Sequence, residues 1–159
     1  MFRPREIVYG FISGSGFRDP KNNYLISLYR DEDLEIVACF TTSQPYYGVP
    51  EEEVGHGAIV KDGKYISYVF EKDIVIGKNP ETDEDFSFPK RTTVTFDYGI
   101  RQGYIEDFAA GIENARTVCI MDKDEYAGLL YAMFKSPLVN DRYKPLLEAT
   151  LWQLYDGQW

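Results

Sequence analysis

The sequence predicts an α+β fold in which a run of short β-strands precedes a group of helices. About seven short apolar or β-branched runs, separated by turn-forming residues, occupy the first two thirds of the chain. The last third changes to helical spacing, and Asp122 and Pro145 stand where helices are expected to begin. Strands this short and closely spaced favour a small, strongly bent barrel or sandwich, followed by the C-terminal helices.

The strands are predicted from their apolar content and from the turns between them. The most apolar run, residues 36–40, is too short for a helix and leads directly into a polar group formed by Thr41, Thr42, Ser43 and Gln44. Asp62 and Gly63 favour a tight hairpin turn between strands over residues 57–60 and 64–70. The other predicted strands cover residues 6–12, 24–29, 72–77, 86–90 and 92–96.

Three helices are predicted in the last third of the chain. The first is expected over residues 105–112. Asp122 and Glu125 have the spacing of a capping box, which opens a helix over residues 126–134. The third helix begins near Pro145, since proline suits the first helical turn.

Length and composition indicate one globular domain. The 159 residues are 44% hydrophobic and 16% aromatic, which is enough to bury a core. We expect a single domain over residues 1–159, with a β-barrel over residues 1–100 and a helical appendix over residues 104–159. No apolar run approaches the roughly 18 residues that span a bilayer, and no signal peptide is recognisable. We therefore expect a cytoplasmic protein without a membrane partner.

The cysteine and histidine content argues against a metal site. Cys39 and Cys119 each lie in an apolar run and are expected to be buried free thiols in a reducing compartment. The chain has no Cys-x-x-Cys pair and only one histidine. We expect neither a metal ion nor a cofactor.

The net charge of −9 is distributed unevenly along the chain. Residues 1–30 hold five basic and two acidic side chains, a balance of +3, whereas residues 31–60 hold seven acidic and no basic ones, a balance of −7. An acidic protein repels nucleic acid unless its cations share one face. A nucleic-acid partner would therefore have to bind near the basic first 30 residues.

His56, the only histidine, is the first candidate for chemistry. It lies between Gly55 and Gly57, which would let a substrate approach closely, and histidine suits proton transfer near neutral pH. The alternative is a partly exposed histidine in a glycine-containing turn.

A second group of candidates consists of cations beside hydroxyl residues. Lys90 and Arg91 precede two threonines at the start of a predicted strand, a combination that can hold a phosphate. A solvated strand end is the alternative. Arg18 and Lys21 are the other candidate cations, in a loop rich in Gly, Ser and Asn. That loop lacks the Gly-Lys-Ser/Thr ending of a P-loop, which excludes nucleoside triphosphate binding of that kind.

The order of motifs over residues 6–77 is similar to that of a known family. A short first strand is followed by a Gly/Ser-rich loop with a cation, an apolar strand and an acidic turn. A second apolar strand then ends in Thr-Ser-Gln, within residues 36–44 (IVACFTTSQ), and a Pro-containing loop precedes the hairpin. This order resembles the MazF/PemK-type ribonuclease toxins.

The resemblance implies a fold, an activity and a set of site residues. The fold would be a small SH3-like (PemK-like) antiparallel β-barrel, here with C-terminal helices, that forms a homodimer. The activity would be that of a toxin–antitoxin endoribonuclease, which cuts single-stranded RNA without a metal and is bound by a protein antitoxin. Arg18 and Thr42 match the catalytic arginine and threonine of the family, and His56 is a candidate for proton transfer. Substrate binding would involve Lys21, Thr41, Ser43, Gln44, Lys90 and Arg91.

A non-catalytic protein-interaction module on the same barrel fold is the alternative. Tyr46 and Tyr47 directly follow the polar group after the third strand and would then contact a protein partner. The ribonuclease hypothesis requires Arg18 or Lys21, Thr42 and His56 to converge in one pocket, whereas the module predicts that they are scattered.

Overall fold

The computed structural model describes residues 1–13, 20–32, 35–43 and 48–156, and these form an α+β fold. Their strands are β1 (Glu6–Ile12), β2 (Lys21–Arg30), β3 (Glu35–Phe40), β4 (Gly57–Lys61), β5 (Lys64–Phe70), β6 (Gly77–Lys78), β7 (Asp85–Phe86), β8 (Thr92–Thr95), β9 (Ile100–Tyr104) and β10 (Ile112–Met121). Their α-helices are α1 (Ile105–Ala110), α2 (Lys123–Lys135) and α3 (Lys144–Tyr155). Short 3₁₀ helices cover Glu51–Glu53 and Asp141–Tyr143.

The strands pair in two antiparallel sheets. The larger has the order β7-β6-β10-β1-β2-β3-β9, and the smaller has the order β4-β5-β8. An isolated bridge between Thr42 and Thr93 links the residues after β3 to β8. Within the part of the chain that the structure describes, the two edges of the larger sheet, β7 and β9, do not pair with each other, so no closed barrel forms.

The larger sheet is buried on both faces, because neighbouring residues of a strand point to opposite sides. Ile7, Ile26 and Cys39 belong to the main core, which also contains the buried residues of α2 and α3. Val8 of β1 points the other way, into a second cluster with Phe108 of α1. This double burial explains why the central strands read as almost continuous apolar runs.

The three predicted helices are present. Pro145 lies in the first turn of α3. The Lys144 ammonium group donates hydrogen bonds to carbonyl oxygens at the end of α2, at 2.6 Å from that of Phe134 and 3.2 Å from that of Met133. A cation at this end of a helix offsets the partial negative charge of its last carbonyls. No helix in the described residues has the length and apolar character needed to cross a membrane.

Residues 112–121 correct the prediction of a helical appendix over residues 104–159. They form β10, which lies inside the larger sheet between β1 and β6. The segment contains the β-branched residues Thr117, Val118 and Ile120, which suit a pleated and half-buried surface. Its partner β1 lies at the other end of the chain, and no local pattern indicates that pairing.

The strands predicted over residues 72–77 and 86–90 are shorter than expected. Only the two-residue strands β6 and β7 form there. Asp73 has a φ of 65°, which is incompatible with an extended strand, and the side chains of Ile74 and Val75 are exposed. By contrast, Asp62 and Gly63 have the positive φ angles, 52° and 75°, that the predicted β4–β5 hairpin requires.

Both cysteines are buried free thiols, as predicted. Cys119 pairs with Ile7, Ile7 with Ile26, and Ile26 with Cys39, so three strand spacings separate the thiols. Since neighbouring strands lie about 4.8 Å apart, the backbones of the two cysteines are about 14 Å apart, which is well beyond the reach of a disulfide.

Candidate functional site

A polar cleft of about 380 Å³ lies where β2 begins, β3 ends and β8 begins. We call it the Lys21–Lys90 cleft. Four residues that were predicted separately to bind substrate line it together: Lys21, Thr41, Ser43 and Lys90. The other lining residues are Tyr9, Asn22, Asn23, Tyr24, Pro89 and Thr92.

The sheet register explains why these residues meet. β2 and β3 are antiparallel and pair Leu25 with Phe40, so the start of β2 lies beside the residues that follow β3. Thr42 and Thr93 exchange two backbone hydrogen bonds of 2.8 Å, which bring the start of β8 to the same place. The cleft is therefore built from three segments that are distant in sequence but fixed by backbone pairing.

Buried Asn23 fixes the floor of the cleft. Its amide Nδ2 donates to the carbonyl oxygen of Thr41 at 2.8 Å, and its Oδ1 accepts from the Thr41 hydroxyl at 3.0 Å. The same Oδ1 accepts from the backbone N–H of Tyr24 at 2.8 Å. The Thr41 hydroxyl, predicted to bind substrate, thus already donates its hydrogen within the protein, and its position is rigid.

Aromatic side chains form one wall. The Tyr9 and Tyr24 rings lie 4.6 Å apart, and Tyr24 meets Phe88 edge-on at 4.9 Å. The guanidinium group of Arg116 lies 5.2 Å from the centre of the Tyr9 ring. Burial raises the pKa of Tyr24, with a further increase from Tyr9 and an opposing effect from Arg116, so its phenol stays neutral at physiological pH.

The cleft is locally cationic in an acidic protein. Lys21 and Lys90 are exposed, and neither forms an ion pair with any residue that the structure describes. The described residues that line the cleft include no carboxylate. Both ammonium groups can therefore meet an anionic ligand without first leaving an acidic partner among the described residues.

Thr42 lies between two lining residues, Thr41 and Ser43, and is half-buried. Its backbone is fixed by the bridge to Thr93. Arg18 and Gln44, the remaining residues predicted at this site, lie outside the described residues. The structure thus brings Lys21 close to the segment that holds Thr42.

Arg91 does not line the cleft, although the sequence predicted it to bind substrate with Lys90. Its Nε and one terminal nitrogen donate to the two carboxylate oxygens of Glu71, the second bond being 3.0 Å long. Its other terminal nitrogen donates to Glu51. The guanidinium group lowers the pKa of Glu71, mainly through the hydrogen bond, so this carboxylate is ionised at neutral pH.

His56 also lies away from the cleft. Its Nε2 is 2.5 Å from Glu125 Oε1, and its Nδ1 accepts from the backbone N–H of Glu71 at 3.1 Å. Because Nδ1 accepts this N–H, the geometry assigns the ring N–H to Nε2, which donates to the Glu125 carboxylate. Both ring nitrogens are therefore already bound within the protein.

The sheet register separates His56 from Thr42. Gly57, the neighbour of His56, pairs with Val69, which pairs with Thr93, which bridges to Thr42. Three strand spacings of about 4.8 Å place the backbones about 14 Å apart. The predicted convergence of His56 with Thr42 therefore does not occur.

Glu125 and Tyr68 were missed by the sequence analysis. The Tyr68 hydroxyl donates to Glu125 Oε2, while His56 occupies the other carboxylate oxygen. The capping-box spacing indicated a different role for Glu125, but Asp122 forms no side-chain cap bond and Glu125 contacts the β4–β5 hairpin instead. Burial and the Glu125 carboxylate both raise the pKa of Tyr68, which keeps its phenol a donor.

Among the described residues, no group of three or more His, Cys, Asp or Glu side chains is arranged to hold a metal ion. Comparison with protein-family models, with curated proteins and with solved structures finds no match to this chain.

Proposed function

We propose that this protein binds single-stranded RNA in the Lys21–Lys90 cleft and cleaves it without a metal ion. The observation that carries the proposal is the convergence of Lys21, Thr41, Ser43 and Lys90 in one cleft. These residues were selected from the sequence one segment at a time, and only the tertiary fold joins them. The proposed activity is the one that the resemblance to MazF/PemK toxins implies.

The composition of the cleft supports RNA as the ligand. Lys21 and Lys90, which form no ion pair with a described residue, supply the positive charge that a phosphate backbone requires, in a protein whose net charge is −9. The amide of Asn22 and the hydroxyl of Ser43 can hydrogen-bond to sugar or base edges. Tyr9 and Tyr24 add aromatic surface of the kind that contacts unpaired bases.

The proposed reaction is transfer of a phosphodiester within the RNA. The ribose 2′-oxygen bonds to the adjacent phosphorus and gives up its proton to solvent water, and the bond from phosphorus to the 5′-oxygen breaks. The departing 5′-oxygen takes a proton from solvent water, leaving a 2′,3′-cyclic phosphate and a free 5′-hydroxyl. Arg18 and Lys21 would stabilise the charge on the phosphorane, and Thr42 would position the phosphate. The expected convergence of His56 with Thr42 does not occur, and both His56 ring nitrogens are bound within the protein, so the proposal depends on the cleft residues alone and gives His56 no role.

The same proposal includes a PemK-like arrangement of the strands, a homodimer, a protein antitoxin and a cytoplasmic location. The β4–β5–β8 sheet, which joins the larger sheet through the Thr42–Thr93 bridge, supports the first of these. The two buried free thiols support a reducing compartment.

Cleavage of a long single-stranded RNA in the presence of EDTA tests the proposal. We expect the wild type to give discrete fragments that end in 2′,3′-cyclic phosphate, and an Arg18→Ala/Thr42→Ala double variant to give none. Arg142→Ala/Thr82→Ala removes the same residue types from exposed positions outside the cleft and should cut like the wild type. Intact RNA with folded wild type would refute catalysis.

A protein-interaction module is the second candidate function. It is favoured by Trp152 and Tyr155 on α3, whose exposed fractions of 62% and 74% are high for aromatic side chains. RNA that neither binds nor breaks would support this candidate, and the α3 surface would then be the place to search for a partner.

A further inference from the structure

A connected series of polar contacts runs from α2 to the edge of the Lys21–Lys90 cleft. It comprises Glu125, His56, Glu71, Arg91 and Glu51, and we call it the anchoring network. Glu125 belongs to α2, and Glu51 belongs to the 3₁₀ helix between β3 and β4. His56 directly precedes β4, Glu71 directly follows β5, and Arg91 directly precedes β8. The network therefore ties α2 and the 3₁₀ helix to one end of the β4–β5–β8 sheet.

Arg91 is the member closest to the cleft, since it directly follows Lys90. All three of its guanidinium nitrogens donate to carboxylates, two to Glu71 and one to Glu51. A planar guanidinium held on three sides has little freedom to rotate. The backbone at Arg91 is thereby fixed relative to the end of β5.

Lys90 is also restrained from its other side. The Thr92 hydroxyl donates to the Lys90 carbonyl oxygen at 2.9 Å, and Thr92 itself lines the cleft. Thr92 thus holds the carbonyl oxygen of Lys90, and carboxylates hold the next residue, Arg91, so the main chain of Lys90 is restrained beside the cleft.

His56 and Glu125 support Glu71 from behind. The His56 Nδ1 accepts the Glu71 backbone N–H, and Glu125 holds the other side of the imidazole ring. Glu125 in turn belongs to the first turn of α2, whose buried residues form part of the main core. The contacts through His56 and Glu125 thus connect Glu71 to the main core.

We infer that Glu71 and Arg91 are positioning residues for Lys90, and that they hold its ammonium group at the geometry that RNA phosphate requires. This inference rests on the proposed function, because it assigns the network a role in RNA binding at the same cleft. It also gives Arg91 a role opposite to the one that the sequence suggested, namely contact with the protein and not with the ligand.

The substitution Glu71→Gln tests the inference, because its effect on charge and its effect on the position of Lys90 should change RNA affinity in opposite directions. Glu71→Gln removes a negative charge near a site for a polyanion, so electrostatics alone predicts tighter RNA binding. Loss of the ion pair also frees Arg91 and Lys90, so the inference predicts weaker binding. Glu52→Gln removes an equivalent charge from an exposed neighbour of Glu51 and serves as the matched control.

The experiment is titration of a fluorescently labelled oligouridylate with each variant, together with urea unfolding to verify that each is folded. We expect Glu71→Gln to bind at least about fivefold more weakly than wild type, and Glu52→Gln to bind equally or slightly more tightly. Arg91→Lys keeps the charge but loses the planar fork, so it should also bind more weakly than the wild type. This second variant tests the inference even if Glu71→Gln fails to fold.

Tighter or unchanged binding by folded Glu71→Gln would overturn the inference and leave the proposed function intact. Unchanged binding by folded Arg91→Lys would overturn it as well, because the planar guanidinium would then not be needed to position Lys90. Absence of binding by the wild type is a different result, since it would refute the proposed function and the inference together.

Discussion

The Lys21–Lys90 cleft and the anchoring network meet at consecutive residues, Lys90 and Arg91, yet they use their charges in opposite ways. In the cleft, the described residues leave both lysines exposed and without an ion pair. In the network, carboxylates occupy Arg91, and His56 and Glu125 hold each other. Of these two neighbouring cations, Lys90 is exposed without an ion pair among the described residues, whereas Arg91 is bound by two carboxylates.

Removal of Glu125 is expected to have the largest effect on stability. Glu125→Ala would leave the buried Tyr68 hydroxyl and the His56 N–H without an acceptor, at a cost of about 2–3 kcal/mol. Asp124→Ala, at the adjacent exposed position, should cost less than about 0.5 kcal/mol. Urea unfolding measures both. Equal effects would contradict the distinction between the network and its surroundings.

Asn23 lines the cleft, but its side chain forms hydrogen bonds to Thr41 and Tyr24 within the protein. Asn23→Ala removes three hydrogen bonds that hold Thr41 and Tyr24, and we expect it to lower the free energy of unfolding by about 1–3 kcal/mol. Asn22→Ala, at the exposed neighbour, should leave stability unchanged. If both variants unfolded at the same urea concentration, the cleft floor would not be held by Asn23.

The ion pair of Glu71 predicts a specific dependence on pH. Because Arg91 lowers the pKa of Glu71 in the folded protein, the pair stabilises the fold above the ordinary value of about 4.5, and this contribution disappears as pH falls through the folded pKa. The difference in unfolding free energy between wild type and Glu71→Gln should be constant from about pH 7 to pH 5 and shrink below pH 4.5. A difference that did not shrink at any pH below about 4.5 would argue against the ion pair.

Ser67 is expected to show the smallest effect. It is buried in β5, and its hydroxyl oxygen has no hydrogen-bond partner among the described residues. Ser67→Ala removes an unsatisfied polar group, so we expect a change between zero and about 1 kcal/mol in the stabilising direction. Destabilisation by more than that would indicate a partner for this hydroxyl.

Much of the fold follows from local patterns in the sequence. The Asp62-Gly63 turn marked the β4–β5 hairpin, and the apolar run before Thr41 marked β3. β10 could not be identified in this way, because it follows a short helix directly and pairs with a strand at the other end of the chain. Local helical signals on both sides concealed it.

The sequence identified several polar residues that line the cleft, but it did not show how the strands bring them together. Lys21, Ser43 and Lys90 were recognisable from their types and from their places at strand ends. Tyr9 enters the wall of the cleft only because β1 pairs it with Tyr24, and that register is not visible in the sequence. Likewise nothing local connects His56 with Glu125, so a histidine that suits catalysis by residue type proved to be part of a structural network.

The salt dependence of RNA binding tests the central claim most directly. Single-stranded RNA affinity would be measured over a series of salt concentrations for the wild type, for Lys21→Gln/Lys90→Gln, and for the matched control Lys64→Gln/Lys135→Gln, whose lysines are exposed outside the cleft. If both cleft lysines contact phosphates, the slope of log K against log salt should fall by about 1.4 in the first variant and remain unchanged in the second. Equal slopes in all three proteins, or no binding by the wild type, would contradict the assignment of this cleft to RNA.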